Sequence, residues 1–465
     1  MQTQTKTDTF STINPSNGTT LETYSYMTDD VVELIIQQSH QAFLKWRLTS
    51  FEERAEIIKS IGNELQNYKS ELAELMTDEM GKLLSQSNQE VDLCEAICNY
   101  CAEHAAETLK NEERQLSNGG KGIITYAPIG IIYGIQPWNY PSYQVIRYAI
   151  ANLMAGNSVL LKHAGNVTGT AKLLESIFKA AGLPDGLFSV LVINHDQSDA
   201  IIKHKLIRGV TLTGSPSAGK VIGKKAGEQL KKTVLELGSN DAYLILHDAD
   251  IEEAVEKSVK GRIYNNGETC IAAKRFIAVA SVYEEFKQAF VKAMSELNLG
   301  NPKNEDTDLG PMAREDLRDK LHDQVTESVK NGATILCGGT PLEGEGYYYP
   351  ATVLKDVKPG QPAYDDELFG PVASLIMAKD DDDAMRIAND SRFGLGGGIF
   401  SKDIQRATKL AETYFDTGMI FINSFGLAEP NMPFGGVKDS GYGREHGGFG
   451  MKEFVNVKSI MISED

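Results

Sequence analysis

Between Pro15 and Pro128 the chain contains no proline, and inside that stretch Ile57, Ile58, Ile61 and Leu65 recur at the interval of one helix face. This pattern predicts helix through residues 30 to 116. From Gly119 the texture changes to a β-rich, aromatic run, GIITYAPIGIIYGIQPWNYP, broken by Pro128, Pro137 and Pro141. A regular alternation follows. Apolar strands are predicted at 158–162, 188–193, 209–214 and 233–238, with helices at 167–181 and 217–230. Strand and helix at this repeat length predict βαβ units, a parallel sheet, and ligand binding at the carboxyl ends of its strands. A second α/β stretch runs from about Asp241 to Gly441, with strands expected at 242–247, 275–280, 371–377 and 397–400. The tail, 454–462, is one more strand, which needs a sheet edge to pair with.

The chain has 465 residues, about three domains or two large ones, with 41% apolar and 24% charged residues, the balance of a folded globular protein. The 46 Lys and Arg against 64 Asp and Glu leave a formal charge of −18, which argues against nucleic acid and anionic membrane surfaces as partners. The opening residues carry no apolar signal core, and the longest apolar runs, such as Ile129 to Ile135, are too short for a bilayer, so the cytoplasm is expected. Five cysteines are too few for a disulfide scaffold, and their odd number leaves at least one free thiol.

Three motifs suggest other chemistries. Cys94, Cys98 and Cys101 have the C-x3-C-x2-C spacing of a radical-enzyme iron–sulfur site, but the same spacing is one stripe of a helix, so core packing is expected and no metal site is assigned. Gly214 to Lys220 resembles a phosphate-binding P-loop, yet Val221 stands where a Mg²⁺-holding hydroxyl belongs. What remains is a Gly-containing turn entering a helix N-terminus, suited to a pyrophosphate. Gly394, Gly396, Gly397 and Gly398 read as a loop entering a strand.

Cys270 closes the polar loop YNNGETC and precedes an apolar strand, with Lys274 and Arg275 close in sequence. Nearby backbone N–H groups and cations suit a nucleophilic thiolate. NNGETC, together with LELGSND at 235–241, PWNYP at 137–141, ELFGPV at 367–372 and PFGGVKDSGYGRE at 433–445, resembles the aldehyde dehydrogenase superfamily over nearly the whole chain. KHAGNV at 162–167 and CIAAKRF at 270–276 are most similar to bacterial succinate-semialdehyde dehydrogenases.

The resemblance implies a nucleophile at Cys270, an oxyanion donor at Asn139, a general base at Glu236 and a relay carboxylate at Glu445, while Tyr148 stands where some relatives have a relay lysine. It implies cofactor contacts at Trp138, Lys162, Gly165, Gly214, Ser215, Leu237, Glu367 and Phe369. At Gly165 many NAD-preferring relatives carry a Glu that repels a 2′-phosphate, so NADP is expected to be tolerated and preferred, with NAD as a second cofactor. For the substrate's far carboxylate the resemblance points to Arg147, while Tyr264 replaces a second arginine and Arg262 lies nearby. Glu268 replaces the usual Gln and is expected to face away from the thiol.

The implied architecture is α/β: a discontinuous Rossmann-like NAD(P)-binding domain over 1–116 and 131–238, a catalytic domain over 239–441, and a small β oligomerisation element over 117–130 and 442–465, in a homodimer or homotetramer. The expected reaction oxidises succinate semialdehyde through a thiohemiacetal and a thioester. A broad-specificity aldehyde dehydrogenase is the alternative, with a non-catalytic relative or a radical enzyme more remote.

Overall fold

The computed structural model describes residues 8–463. The predicted helical stretch resolves into four helices, Asp29–Trp46, Phe51–Asn67, Lys69–Met80 and Leu84–Thr108. The second begins sharply because Ser50 and Glu53 form a capping box, each side chain accepting from the other's backbone N–H. The prediction overruns at its end, where Glu112–Gln115 is a strand paired with Lys121–Pro128. As an exposed outer strand, EERQ carries no apolar alternation to betray it. Cys94, Cys98 and Cys101 lie on the buried face of Leu84–Thr108, in one apolar cluster with Ile58, Ile61 and Leu65. A Cβ at Gly62 would sit 3.2 Å from that of Cys98, so the two helices approach almost backbone to backbone. The cysteine spacing is therefore the period of a packing face.

Ile131–Gln136, Ser158–His163, Phe188–Val190, Ile207–Thr213 and Lys232–Glu236 form a parallel sheet, with Gly441–Tyr442 added antiparallel beside Lys232–Glu236. The chain enters at the middle strand, winds outward through two strands, then returns to the other side of the first. That reversal opens a crevice at the carboxyl ends of Ile131–Gln136 and Ile207–Thr213. The strand expected over 188–193 stops at Val190.

A second sheet has seven strands in the order Thr334–Cys337, Thr352–Lys355, Val372–Ala378, Arg275–Val279, Ala242–Ile245, Gly397–Phe400 and Phe421–Ile422, parallel except for the first pair. Successive residues of Ala242–Ile245 enter two different apolar clusters, one around Leu244 and Ile277 and one around Tyr243 and Phe276. The sheet is thus buried on both faces, which explains its continuous apolar strands. The pair Thr334–Cys337 and Thr352–Lys355, and an N-terminal hairpin of Thr9–Ile13 with Thr20–Ser25, were not expected from the sequence pattern.

The terminal strand Val455–Ile462 pairs antiparallel along Lys121–Pro128, completing a three-stranded sheet with Glu112–Gln115. Two sequence boundaries therefore cut across sheets: Glu112–Gln115 joins the small sheet, and Tyr442 joins the first one. Among the described residues, no helix is long and apolar enough to cross a membrane.

Candidate active site

The Cys270 loop is shaped by two asparagines that follow the helix Ile251–Ile263. Asn265 and Asn266 both take the left-handed conformation, with φ of 54° and 56°. Such backbone persists where side-chain bonds hold it. Asn265 Nδ2 donates to Asn139 O at 2.9 Å and Glu268 O at 3.0 Å, while Asn266 Nδ2 donates to Gly81 O at 2.8 Å and Pro311 O at 3.0 Å. Cys270 emerges half-buried into a cavity of about 500 Å³ at the crevice of the first sheet. Trp138, Asn139, Gly214, Ser215, Leu237, Glu367 and Phe369 line the same cavity.

Asn139 is held in place from two sides. Its Nδ2 donates to Glu268 O at 3.0 Å, which sets the amide's orientation. Behind it, Glu90 Oε1 accepts from Ser142 N at 2.8 Å and Tyr143 N at 2.9 Å, and Glu90 is ion-paired with the buried Lys82. The Lys82 ammonium also sits 3.8 Å from the centre of the Tyr140 ring, whose hydroxyl bonds Thr269 Oγ1 at 2.8 Å. Sequence reasoning passed over Lys82, in the short connection between Lys69–Met80 and Leu84–Thr108, and Glu90, on the second of those helices, because charged side chains normally face solvent.

Burial pushes the Cys270 thiol up to about 12, opposed by the charges of Lys274 and Arg147. Lys274 Nζ donates to Cys270 O at 2.7 Å and lies 3.4 Å from Glu367. Arg275 does not share this role: its guanidinium reaches Asn240 O, Ile387 O and Ala388 O instead. Glu268 turns its carboxylate to Ala313 N at 3.1 Å, the orientation expected of it. Glu367 accepts from Ser239 N at 3.0 Å, and a side chain at Gly238 would collide with its carboxylate.

Glu236 ends the strand Lys232–Glu236, fully buried, with both carboxylate oxygens free of hydrogen-bond partners. Any Cβ at Gly435 would lie 2.7 Å from its Oε1, so only glycine lets the PFGG loop cover it. Burial raises Glu236 well above the usual carboxylate range; Arg147 opposes the shift and Glu445 adds to it. Arg147, expected at the substrate carboxylate, is buried in an ion pair with Glu445 and donates to Thr213 Oγ1 at 2.9 Å; neither it nor Glu236 is among the residues that line the cavity. Tyr264 and Arg262 are likewise outside the cavity lining. The Tyr264 hydroxyl donates to Gln89 Oε1 at 2.8 Å, and Arg262 donates to Gly267 O at 2.7 Å. Tyr148, buried, donates to Leu160 O at 3.1 Å.

Lys162 and Gly165 line a second cavity of about 340 Å³ at the carboxyl end of Ser158–His163, together with His195 and Arg314, which sequence reasoning had not marked. The donor set of the two cavities fits a dinucleotide phosphate. Lys162 and Arg314 offer cations at one end, Ser215 caps a 13-residue helix in the middle, and the Glu367 carboxylate offers acceptors for ribose hydroxyls near Cys270. Trp138 and Phe369 meet edge to face with centroids 5.8 Å apart, forming an apolar wall for a flat ring.

A doubly wound sheet whose binding edge meets a cysteine loop from a second α/β sheet defines a nucleotide-dependent oxidoreductase architecture. The model of the Aldehyde dehydrogenase family matches residues 2–460, and the chain belongs to this family. It is 43% identical to the succinate semialdehyde dehydrogenase [NAD(P)+] Sad of Escherichia coli (strain K12), covering 96% of each chain. Identity to the succinate-semialdehyde dehydrogenase [NADP(+)] 1 of Mycobacterium tuberculosis (strain ATCC 25618 / H37Rv) is 40%, over 97% of this chain and 99% of that one. The solved structure of the succinic semialdehyde dehydrogenase from Streptococcus pyogenes in complex with NADP+ superposes with a TM-score of 0.95 at 35% identity, over 98% of this chain and all of that one.

Proposed function

We propose that the protein oxidises succinate semialdehyde to succinate with NADP+, and with NAD+ as a second oxidant, through a thioester on Cys270. The carrying observation is the shared cavity that holds Cys270, Asn139, Glu367 and Phe369 at the sheet's binding edge. The relatives named above support the substrate and the cofactor.

In this reading the Cys270 thiolate attacks the aldehyde carbon, and the carbonyl oxygen takes up the negative charge. The Asn139 amide and the Cys270 backbone N–H stabilise it. A nicotinamide bound in this cavity would supply the acceptor for the hydride that this carbon releases. Glu236 then takes a proton from water as its oxygen attacks the thioester carbon; the C–S bond breaks, the acid departs and Cys270 leaves as the thiolate. Lys162 and Gly165 would hold the adenosine ribose, Gly214 and Ser215 the pyrophosphate, and Glu367 the nicotinamide ribose, with Trp138, Leu237 and Phe369 as the apolar walls.

Comparison of kcat/KM for succinate semialdehyde and butanal tests the substrate: a preference of about tenfold or more for the semialdehyde is expected. Similar values would favour the broad-specificity alternative. Asn139→Ala should lower kcat by about 10²- to 10³-fold, the scale of losing one oxyanion donor, with the KM for NADP+ unchanged. Gly165→Glu should raise the KM for NADP+ by about tenfold or more while sparing NAD+, because a carboxylate there faces the 2′-phosphate. Steady-state titration of both cofactors checks it.

Homo-oligomer formation belongs to the same proposal. The strand Val455–Ile462 exposes Val457, Ile460, Met461 and Ile462, an apolar surface suited to a second copy.

A further inference from the structure

The turn that carries Asn139 runs from the strand Ile131–Gln136 to the helix Tyr143–Met154, and three bonds tie it to the Cys270 loop. Asn139 Nδ2 donates to Glu268 O at 3.0 Å, Asn265 Nδ2 donates to Asn139 O at 2.9 Å, and the Tyr140 hydroxyl bonds Thr269 Oγ1 at 2.8 Å. An amide nitrogen has two N–H groups, so Asn139 keeps one for a substrate oxygen. Behind the turn, the helix Tyr143–Met154 has no side-chain cap of its own. Glu90, from the helix Leu84–Thr108, serves instead: one carboxylate oxygen accepts from Ser142 N at 2.8 Å and Tyr143 N at 2.9 Å. Its other oxygen is ion-paired with Lys82, whose ammonium lies 3.8 Å from the centre of the Tyr140 ring. The residue before Lys82 completes the circuit, because Gly81 O accepts from Asn266 Nδ2 at 2.8 Å. Lys82 therefore stands between the turn that bears one oxyanion donor and the loop that bears the other.

We propose that Lys82 and Glu90 are positioning residues for the oxyanion hole, an ion pair that sets the Asn139 amide against the Cys270 backbone N–H. The proposal rests on the reading above, in which those two groups receive the substrate oxygen. Stability does not account for the pair. Both residues are buried, and taking two charges out of water costs about as much as their attraction offsets, so packed apolar side chains serve as well or better for stability alone. What the pair adds is direction. With one oxygen on the helix start and the other on the ammonium, the Glu90 carboxylate has a single orientation, and Ser142, which it holds, lies three residues after Asn139. The ammonium fixes the Tyr140 ring from its face, and the ring's hydroxyl reaches the residue before Cys270. An error of a fraction of an ångström at either donor weakens the adduct where its charge is greatest.

The test uses the full enzyme, an aldehyde that it oxidises, and the double variant Lys82→Met with Glu90→Gln. That variant leaves no lone buried charge and keeps an acceptor for Ser142 N and Tyr143 N. The expected result is a native thermal melt and a native KM for NADP+, with kcat lowered about tenfold, the scale of a donor displaced by part of an ångström. The hydride burst and steady turnover should slow together, because the adducts of both half-reactions use the same donors. Introduced into Asn139→Ala, the same double change should lower kcat by less than about twofold, since the donor it positions is gone. Glu90→Gln alone carries the same comparison if the double variant fails to fold. A native kcat in the double variant would overturn the proposal, and so would a full tenfold loss repeated in the Asn139→Ala background. A native kcat in Asn139→Ala itself is a different failure: it would remove Asn139 as a donor, and the proposal with it.

Discussion

Cys270→Ala is expected to abolish aldehyde oxidation, by on the order of 10⁴-fold or more, while leaving the fold and NADP+ binding intact. The size of the effect follows from the chemistry: without Sγ no bond forms to the aldehyde carbon, and no tetrahedral adduct exists from which hydride can leave. Trp138 lines the same cavity, so quenching of its fluorescence by added NADP+ measures binding independently of turnover. Retained quenching with no product assigns the loss to the nucleophile. Residual activity near that of the native enzyme would remove Cys270 from the mechanism. Because burial lifts the thiol to about 12 in the protein alone, acylation by the native enzyme should quicken as pH rises toward that value.

Glu236→Gln should separate the two halves of the reaction. Acylation needs the thiolate, and hydrolysis needs a base; the amide preserves the shape of Glu236 but cannot take a proton from water. The expected result is one equivalent of NADPH per site in a rapid burst, then turnover slowed by about 10²- to 10⁴-fold. Stopped-flow absorbance reads both phases. A variant that turns over at the native rate with no burst would exclude Glu236 as the base. The native pH profile carries the sign of the burial shift: Glu236 acts only when ionised and its pKa is raised, so kcat should fall as pH drops through a value above the ordinary carboxylate range.

The β/α alternation and the Cys270 motif were legible because both are local: strand period, loop residues and NNGETC stand in single stretches of sequence. Arg147 was legible as a functional arginine but not as the partner of Glu445, since ion pairing between distant segments leaves no mark in either one. Lys82 and Glu90 were invisible for a related reason. Each looks like an ordinary solvent-facing charge in its own stretch of sequence, and only packing brings Lys82 beneath the Tyr140 ring. The strand Glu112–Gln115 escaped because an exposed edge has no apolar alternation.

The hydrogen bond between Tyr143 and His446 joins residues 303 positions apart. Catalytic competence is therefore a late event in the life of each molecule. While the chain is being made, Cys270 precedes Glu445 by 175 residues and Glu236 precedes it by 209. Contacts this distant pay their loop-closure entropy last. A partly synthesised chain thus carries Cys270 and Glu236 before the segment of Glu445 and His446 exists. Enzyme activity, more than any signal from the helices, reports that folding has run to its end.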